Sequence, residues 1–167
     1  MLMLIVVKSA FAQNLKALDD KYGFREGIFE KPKESIYSIV EFEKGSFATP
    51  LEILAYGEYR LRDVIYRFYK GQLTYIRIRT TGQVNSQGVL KLLQEEYGPG
   101  KKPDKNAEKY WWVGKKVTMS FDQDPETKDA VIILTCNKLQ DLERAENKNI
   151  KSETLRKLEF KVPESIP

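Results

Sequence analysis

A chain of 167 residues, 41% apolar and 31% charged, has the size and composition of one globular domain with a sizeable core. It holds no histidine and a single cysteine, which excludes His-based triads, His-ligated zinc and an internal disulfide. The net charge of +4 is spread along the chain rather than packed into the dense basic block of a nucleic-acid protein, so nucleic acid is not an expected partner.

Met1 to Val7 is an unbroken apolar run, and Ser9-Ala10-Phe11-Ala12 closes it in a small-x-small pattern before Gln13. That is the apolar region and cleavage site of a secretory signal peptide, with most of its charged leader missing. A buried first strand is the competing reading, and Lys8 speaks for it, being unusually close to the apolar run. The cleavage pattern and the polar Asn14 favour the signal. Residues 1–12 are thus expected to be a signal-peptide remnant, and the protein to be periplasmic or secreted. No stretch approaches the roughly 20 apolar residues of a membrane-spanning helix. No cysteine follows the run for lipid attachment.

Residues 13–21 are polar and suit a short helix or a frayed arm. Residues 24–29 read as a first strand with Gly27 inside it, a possible site for a bulge. Pro32 suits the first turn of a helix, and Ile36, Ile39 and Val40 carry helical spacing to about Phe42. Residues 45–50 then read as a loop and residues 51–56 as a strand, closed by Gly57.

The alternation is clearest over residues 63–79. Val64, Tyr66 and Phe68 alternate with Ile65, Arg67 and Tyr69; Thr74, Ile76 and Ile78 alternate with Tyr75, Arg77 and Arg79. A two-residue turn at Lys70-Gly71 would mix the two faces. A three-residue turn with a bulge at Gly71 sorts them, setting Val64 opposite Ile76, Tyr66 opposite Thr74 and Asp63 opposite Arg77. That bulged register is the one expected.

Ser86 reads as the N-cap of a second helix with Val89, Leu92, Leu93 and Tyr97 on one stripe, ended by Gly98 and Pro99. A charged loop over 100–108 leads to a second hairpin, 109–113 and 116–121. A type II′ turn at Gly114-Lys115 would pair Trp112 with Val117 and Tyr110 with Met119, leaving Trp111, Thr118 and Ser120 on the other face. Residues 122–129 form a polar loop. Residues 130–136 are apolar on both alternations, as in a central strand, with Cys136 a buried thiol. The tail, 138–167, has helical composition but no clean stripe, and reads as helical or partly disordered, with a helix interrupted near 147–149.

Residues 32–80 and 86–136 both read helix, strand, strand, strand. Two αβββ units joined edge to edge make an α+β fold: one antiparallel sheet of six to seven strands, with both helices on one face. The single domain spans 13–137. Its expected core joins Tyr66, Phe68, Ile76, Ile78, Leu92, Leu93, Trp112 and Met119.

Four segments carry a resemblance: Gly23-Phe24-Arg25-Glu26-Gly27-Ile28, Phe68-Tyr69-Lys70-Gly71-Gln72-Leu73, Glu96-Tyr97-Gly98 and Tyr110-Trp111-Trp112-Val113-Gly114. Together they resemble small exported bacterial proteins of uncharacterised function. They are turn and aromatic motifs, so the resemblance implies kinship over residues 22–136 and no mechanism. The doubled αβββ pattern also looks like the architecture of exported β-lactamase-inhibitor-like and outer-membrane-assembly lipoprotein domains, an analogy of fold alone.

The candidate site is a basic and aromatic sheet face: Arg67, Tyr75, Arg77 and Arg79, with Trp111 on the same face if the hairpins align. Arginines beside exposed rings can hold carboxylates, phosphates or sugar rings. The plainer reading is a solvated sheet face on which Asp63 neutralises Arg77. Asp122 to Asp129 lacks the glycine and the terminal glutamate of a calcium loop and reads as a hairpin loop. Glu95-Glu96 and Asp19-Asp20 point apart, unlike a glycosidase pair. No catalytic residue, metal site or cofactor is therefore expected. The function expected is an exported, non-enzymatic binding or structural module of the bacterial envelope, whose partner is an envelope protein or an anionic envelope component. The alternative is a periplasmic hydrolase using carboxylate or lysine chemistry.

Overall fold

The computed structural model describes residues 12–50 and 54–159. The expected signal segment, apart from Ala12, and the first half of the strand expected at 51–56 lie outside the described residues. The fold is α+β. Its main sheet has eight strands, entirely antiparallel, in the order β3 (Val40–Glu43), β4 (Ser46–Ala48), β6 (Tyr59–Tyr69), β7 (Gln72–Thr80), β10 (Ala130–Cys136), β9 (Val117–Gln123), β8 (Lys109–Val113); the short β5 (Ala55–Tyr56) pairs with β6 beside that path. A separate small hairpin pairs β1 (Gly23–Phe24) with β2 (Gly27–Ile28). The three helices are α1 (Leu15–Lys21), α2 (Gly82–Tyr97) and α3 (Asn137–Glu159).

The two halves meet as expected: their last strands, β7 and β10, pair at the centre of the sheet. The helix of the first half is misplaced by the sequence reading, however. Residues 32–42 hold a single 3₁₀ turn, Lys33–Ser35, followed by β3, which extends to the edge of the sheet. The helix is α1, with Asn14 capping its N-terminus by accepting from the Ala17 N–H. The expected loop at 45–50 contains β4, and residues 24–29 fold back as β1 and β2 instead of forming one strand.

Both long hairpins keep the expected sorting of faces while shifting the expected register by two. In the first, Val64 lies opposite Ile78 and Tyr66 opposite Ile76. Lys70 and Gly71 both take positive φ, as a type I′ turn requires, and the extra residue that restores the sorting is Thr74. In the second, Trp112 faces Met119 and Tyr110 faces Phe121. There the turn is longer, because Asp19 of α1 accepts the N–H groups of Lys115, Lys116 and Val117. Burial alone would raise the Asp19 pKa, but these donors and the Lys116 charge hold it below the ordinary aspartate value.

The helix face of the sheet builds the core. Tyr66, Ile76, Leu134, Met119 and Trp112 form one continuous row across five strands, all buried. Leu18 of α1, Val89, Leu90, Leu93 and Tyr97 of α2, and Leu139 of α3 close over it. The expected core holds, except that Phe68 is only half-buried and Leu92 leaves the cluster to lie over Gly57. Helix α2 starts at Gly82, four residues before the expected cap. The Asp129 carboxylate accepts the Gly82 N–H, and Ser86 is buried, bonded to Thr80 and the Lys128 carbonyl. Gly88, in mid-helix, lets the Tyr59 ring lie against the backbone: a Cβ there would fall 2.1 Å from the ring. Helix α3 follows β10 without a break and runs through 147–149 uninterrupted.

Candidate binding face of the sheet

The opposite face of the sheet carries three cross-strand rows over β6, β7, β10, β9 and β8. In that order they are Arg67, Tyr75, Thr135, Thr118, Val113; then Ile65, Arg77, Ile133, Ser120, Trp111; then Asp63, Arg79, Val131, Asp122, Lys109. All five residues singled out from the sequence therefore share one face. Arg67, Tyr75, Arg77 and Arg79 are immediate neighbours. Trp111 lies in the Arg77 row but three strands away, about 14 Å at the usual strand spacing.

The ion pairing differs from expectation. The two-residue shift of register puts Asp63 opposite Arg79, whose Nε donates to both carboxylate oxygens at 2.7 and 3.0 Å. This pairing pushes the Arg79 pKa further above its ordinary value. Arg67 lies over the Tyr75 ring, 5.3 Å from its centre. Arg77 is left between Ile65 and Ile133, half-buried. Its Nε is buried without a hydrogen-bond partner, and its guanidinium forms no ion pair among the described residues.

The face lies open along a groove across β8, β9 and β10. Toward α3 the groove holds about 540 Å³, between Tyr75 on one side and Trp111 on the other. Gln140, Asp141 and Arg144, from the first two turns of α3, wall its end, so the helix borders the face instead of covering it. Sequence reasoning missed these three residues and Lys115 on the rim, because nothing in a polar helix reports which way it turns. Ile133 was legible in the doubly apolar pattern of β10.

Several charged groups elsewhere are held in their ionised forms by their partners. Glu96 is held below its ordinary pKa: burial raises it, and Lys21, Tyr56 and Tyr97 more than offset that. Glu30, bonded to Lys138 and Tyr22, is lowered as well, as are Glu108 beside Lys102 and Asp124 within its own loop. Lys102, Lys109 and Lys138 are raised by their carboxylate partners. Each shift stabilises the ionised form, the reverse of what a general-acid carboxyl or a nucleophilic lysine needs. Among the described residues no cluster of three metal-ligating side chains occurs, and no helix is long and apolar enough to cross a membrane. In comparisons with known proteins, no family model, no curated protein and no solved structure matches this chain.

Proposed function

We propose that this protein is an exported, non-enzymatic binding module of the bacterial envelope that holds an anionic partner on the outer face of its sheet. The observation that carries the reading is Arg77. Arg77 stands between Ile65 and Ile133 across the strands, its Nε is buried without a hydrogen-bond partner, and its guanidinium has no counter-charge among the described residues. An unpaired, partly desolvated charge is costly, and a bound carboxylate or phosphate removes that cost. Asp63 is already committed to Arg79. Export rests on the signal-like first twelve residues. The Ala12 carbonyl lies against Gly98, and the first described hydrogen bonds with the fold come from Gln13, whose side-chain amide donates to the Trp111 carbonyl, and Asn14, whose N–H donates to the Tyr97 carbonyl. Cleavage after Ala12 leaves both in place.

The test is capture from an envelope extract on the immobilised protein, wild type against Arg67→Ala with Arg77→Ala. The captured partner should be lost from the double variant, with the melting temperature held within about 2 °C. Capture of the same partner by both forms overturns the reading. Export is checked separately by N-terminal sequencing of protein from its native cell, which should begin at Gln13 or within a residue or two; retention of Met1 overturns it.

A further inference from the structure

Away from α3 the groove widens into a hollow of about 960 Å³ on the far side of Trp111, bounded by β8, β9, β10 and the loop joining β9 to β10. Trp111, Val131 and Ile133 give it an apolar lining. Trp111 is 43% exposed, and Val113, two positions along the same strand and on the same face, is exposed as well, so a broad apolar surface meets water here. The rim carries four carboxylates, Glu108, Asp122, Asp124 and Asp129, against two lysines, Lys109 and Lys128. Such a lining suits an apolar segment that carries a cation, and repels an anion.

The chain itself supplies that segment. Residues 1–7 are an unbroken apolar run followed by Lys8, and the first carboxylate of the sequence is Asp19. The segment joins the described fold beside the hollow: the Ala12 carbonyl lies against Gly98, and the Gln13 side-chain amide donates to the Trp111 carbonyl at 3.0 Å. Extended chain covers about 3.3–3.6 Å per residue, so residues 9–11 alone span about 10 Å, enough to pass the edge strand, and residues 1–7 follow onto the face. The other exposed apolar cluster, Tyr37, Val40 and Phe42, stands on and beside β3 at the opposite edge of the sheet. It lies six strand spacings away, about 29 Å, where only the far end of a fully stretched segment arrives.

We propose that residues 1–7 lie across Trp111, Val131 and Ile133 in the hollow of their own chain, with Lys8 at the acidic rim, and that cleavage after Ala12 uncovers this end of the face. The segment is then an intramolecular cover, carried by the chain until export is complete. Ile133 neighbours Arg77 in the same cross-strand row, so the cover ends beside the proposed anion site. The inference rests on the export reading for the removal of the cover, and not for its seat.

The test is tryptophan emission and acrylamide quenching of the 167-residue chain, made in a membrane-free translation extract so that it stays unprocessed. It is compared with the same chain carrying Leu4→Asp and Val6→Asp, both outside the described fold. Trp112 is buried in the core, so the difference between the two chains reports Trp111. The wild-type chain should emit to the blue of the double variant and be quenched at least about twofold less, as cover over an exposed ring requires. The two melting temperatures should agree within about 2 °C. In a Trp111→Phe background the difference should vanish. No difference between wild type and double variant, or a difference that survives Trp111→Phe, overturns the proposal. Shielding of Trp111 that grows with protein concentration overturns it too, because the occupant is then a second copy. Failure of the cover with native protein beginning at Gln13 leaves export and the anion-binding face standing; a shielded Trp111 with Met1 retained in native protein removes export and keeps the seat.

Discussion

Trp111 and Trp112 are chain neighbours on one strand, and they live in two different environments. Trp112 is fully buried, its indole N–H donating to the Gly98 carbonyl at 2.8 Å, in a row that runs unbroken through Met119, Leu134, Ile76 and Tyr66. Trp111 faces the other way, half-exposed, in the row of Ser120, Ile133 and Arg77. The period of two in a strand makes this division absolute: every second residue serves the core and the rest are free to serve something else. The inner face is apolar and closed by helices. The outer face mixes apolar side chains with arginines and is covered by nothing described. Two faces that differ this much in composition should differ as much in response to substitution.

The largest effect belongs to the inner face. Trp112→Ala removes the biggest fully buried side chain and should cost about 3–5 kcal/mol in urea unfolding. A loss below about 1 kcal/mol would place Trp112 outside the core, against that same scale. Gly88→Ala is the opposite insult, adding a methyl where the Tyr59 ring already sits. It should cost about 1–3 kcal/mol by overpacking, although alanine is the better helix former. A stabilised Gly88→Ala protein would show that the ring moves aside freely.

How much of this was legible in the sequence follows from the same division. Which residues face inward was readable in both hairpins, because a face error would bury Arg77 or Arg79 among the helices. Register was not, because a shift of two preserves every face. It was decided by features that alternation does not carry: the bulge at Thr74, and Asp19 reaching from α1 to widen the second turn. The start of α2 was missed for a related reason. Its cap comes from Asp129, 47 positions away, and no local signal at Gly82 announces it. Residues 32–42 carry apolar spacing that a helix and an edge strand share, and the pairing of β3 with β4 settled the matter. On the candidate face the five residues read from the sequence share one side of the sheet, with Trp111 three strands from Arg77, while Lys115, Gln140, Asp141 and Arg144 gave no signal in the sequence. The register shift moved Asp63 from Arg77 to Arg79 and so changed which arginine is left over.

Asp19 lies at the seam between the faces and gives the next effect. Asp19→Ala strips an ionised acceptor from three N–H groups and should cost about 1.5–3 kcal/mol, the range for hydrogen bonds to a charged group. Because the folded-state pKa is lowered, this contribution is complete above the ordinary aspartate range and is lost as pH falls through the lower folded value. Asp19→Asn keeps an acceptor and removes the titration, so its stability should fall less steeply than wild type below about pH 4. Parallel acid limbs in the two proteins would remove Asp19 from the account of that turn.

The smallest effect, and the sharpest test of the contrast, is at Arg77. If its guanidinium held the sheet together, replacement by an apolar side chain of similar length would unfold the region around Ile65 and Ile133. The outer face predicts the reverse. Arg77 has apolar cross-strand neighbours on both sides and a buried Nε without a partner, so Arg77→Met exchanges a partly desolvated, unpaired charge for a side chain suited to its surroundings. Stability should stay level or rise by about 0.5–1 kcal/mol, read as a shift of the urea midpoint at constant slope. Arg79→Met, by contrast, leaves Asp63 without its partner and should lose up to about 1 kcal/mol. A stabilised Arg77→Met protein would mean that the chain carries the charge at a cost to its own fold, as a residue retained for a ligand does. A loss above about 1 kcal/mol would make Arg77 structural and the outer face an ordinary solvated surface.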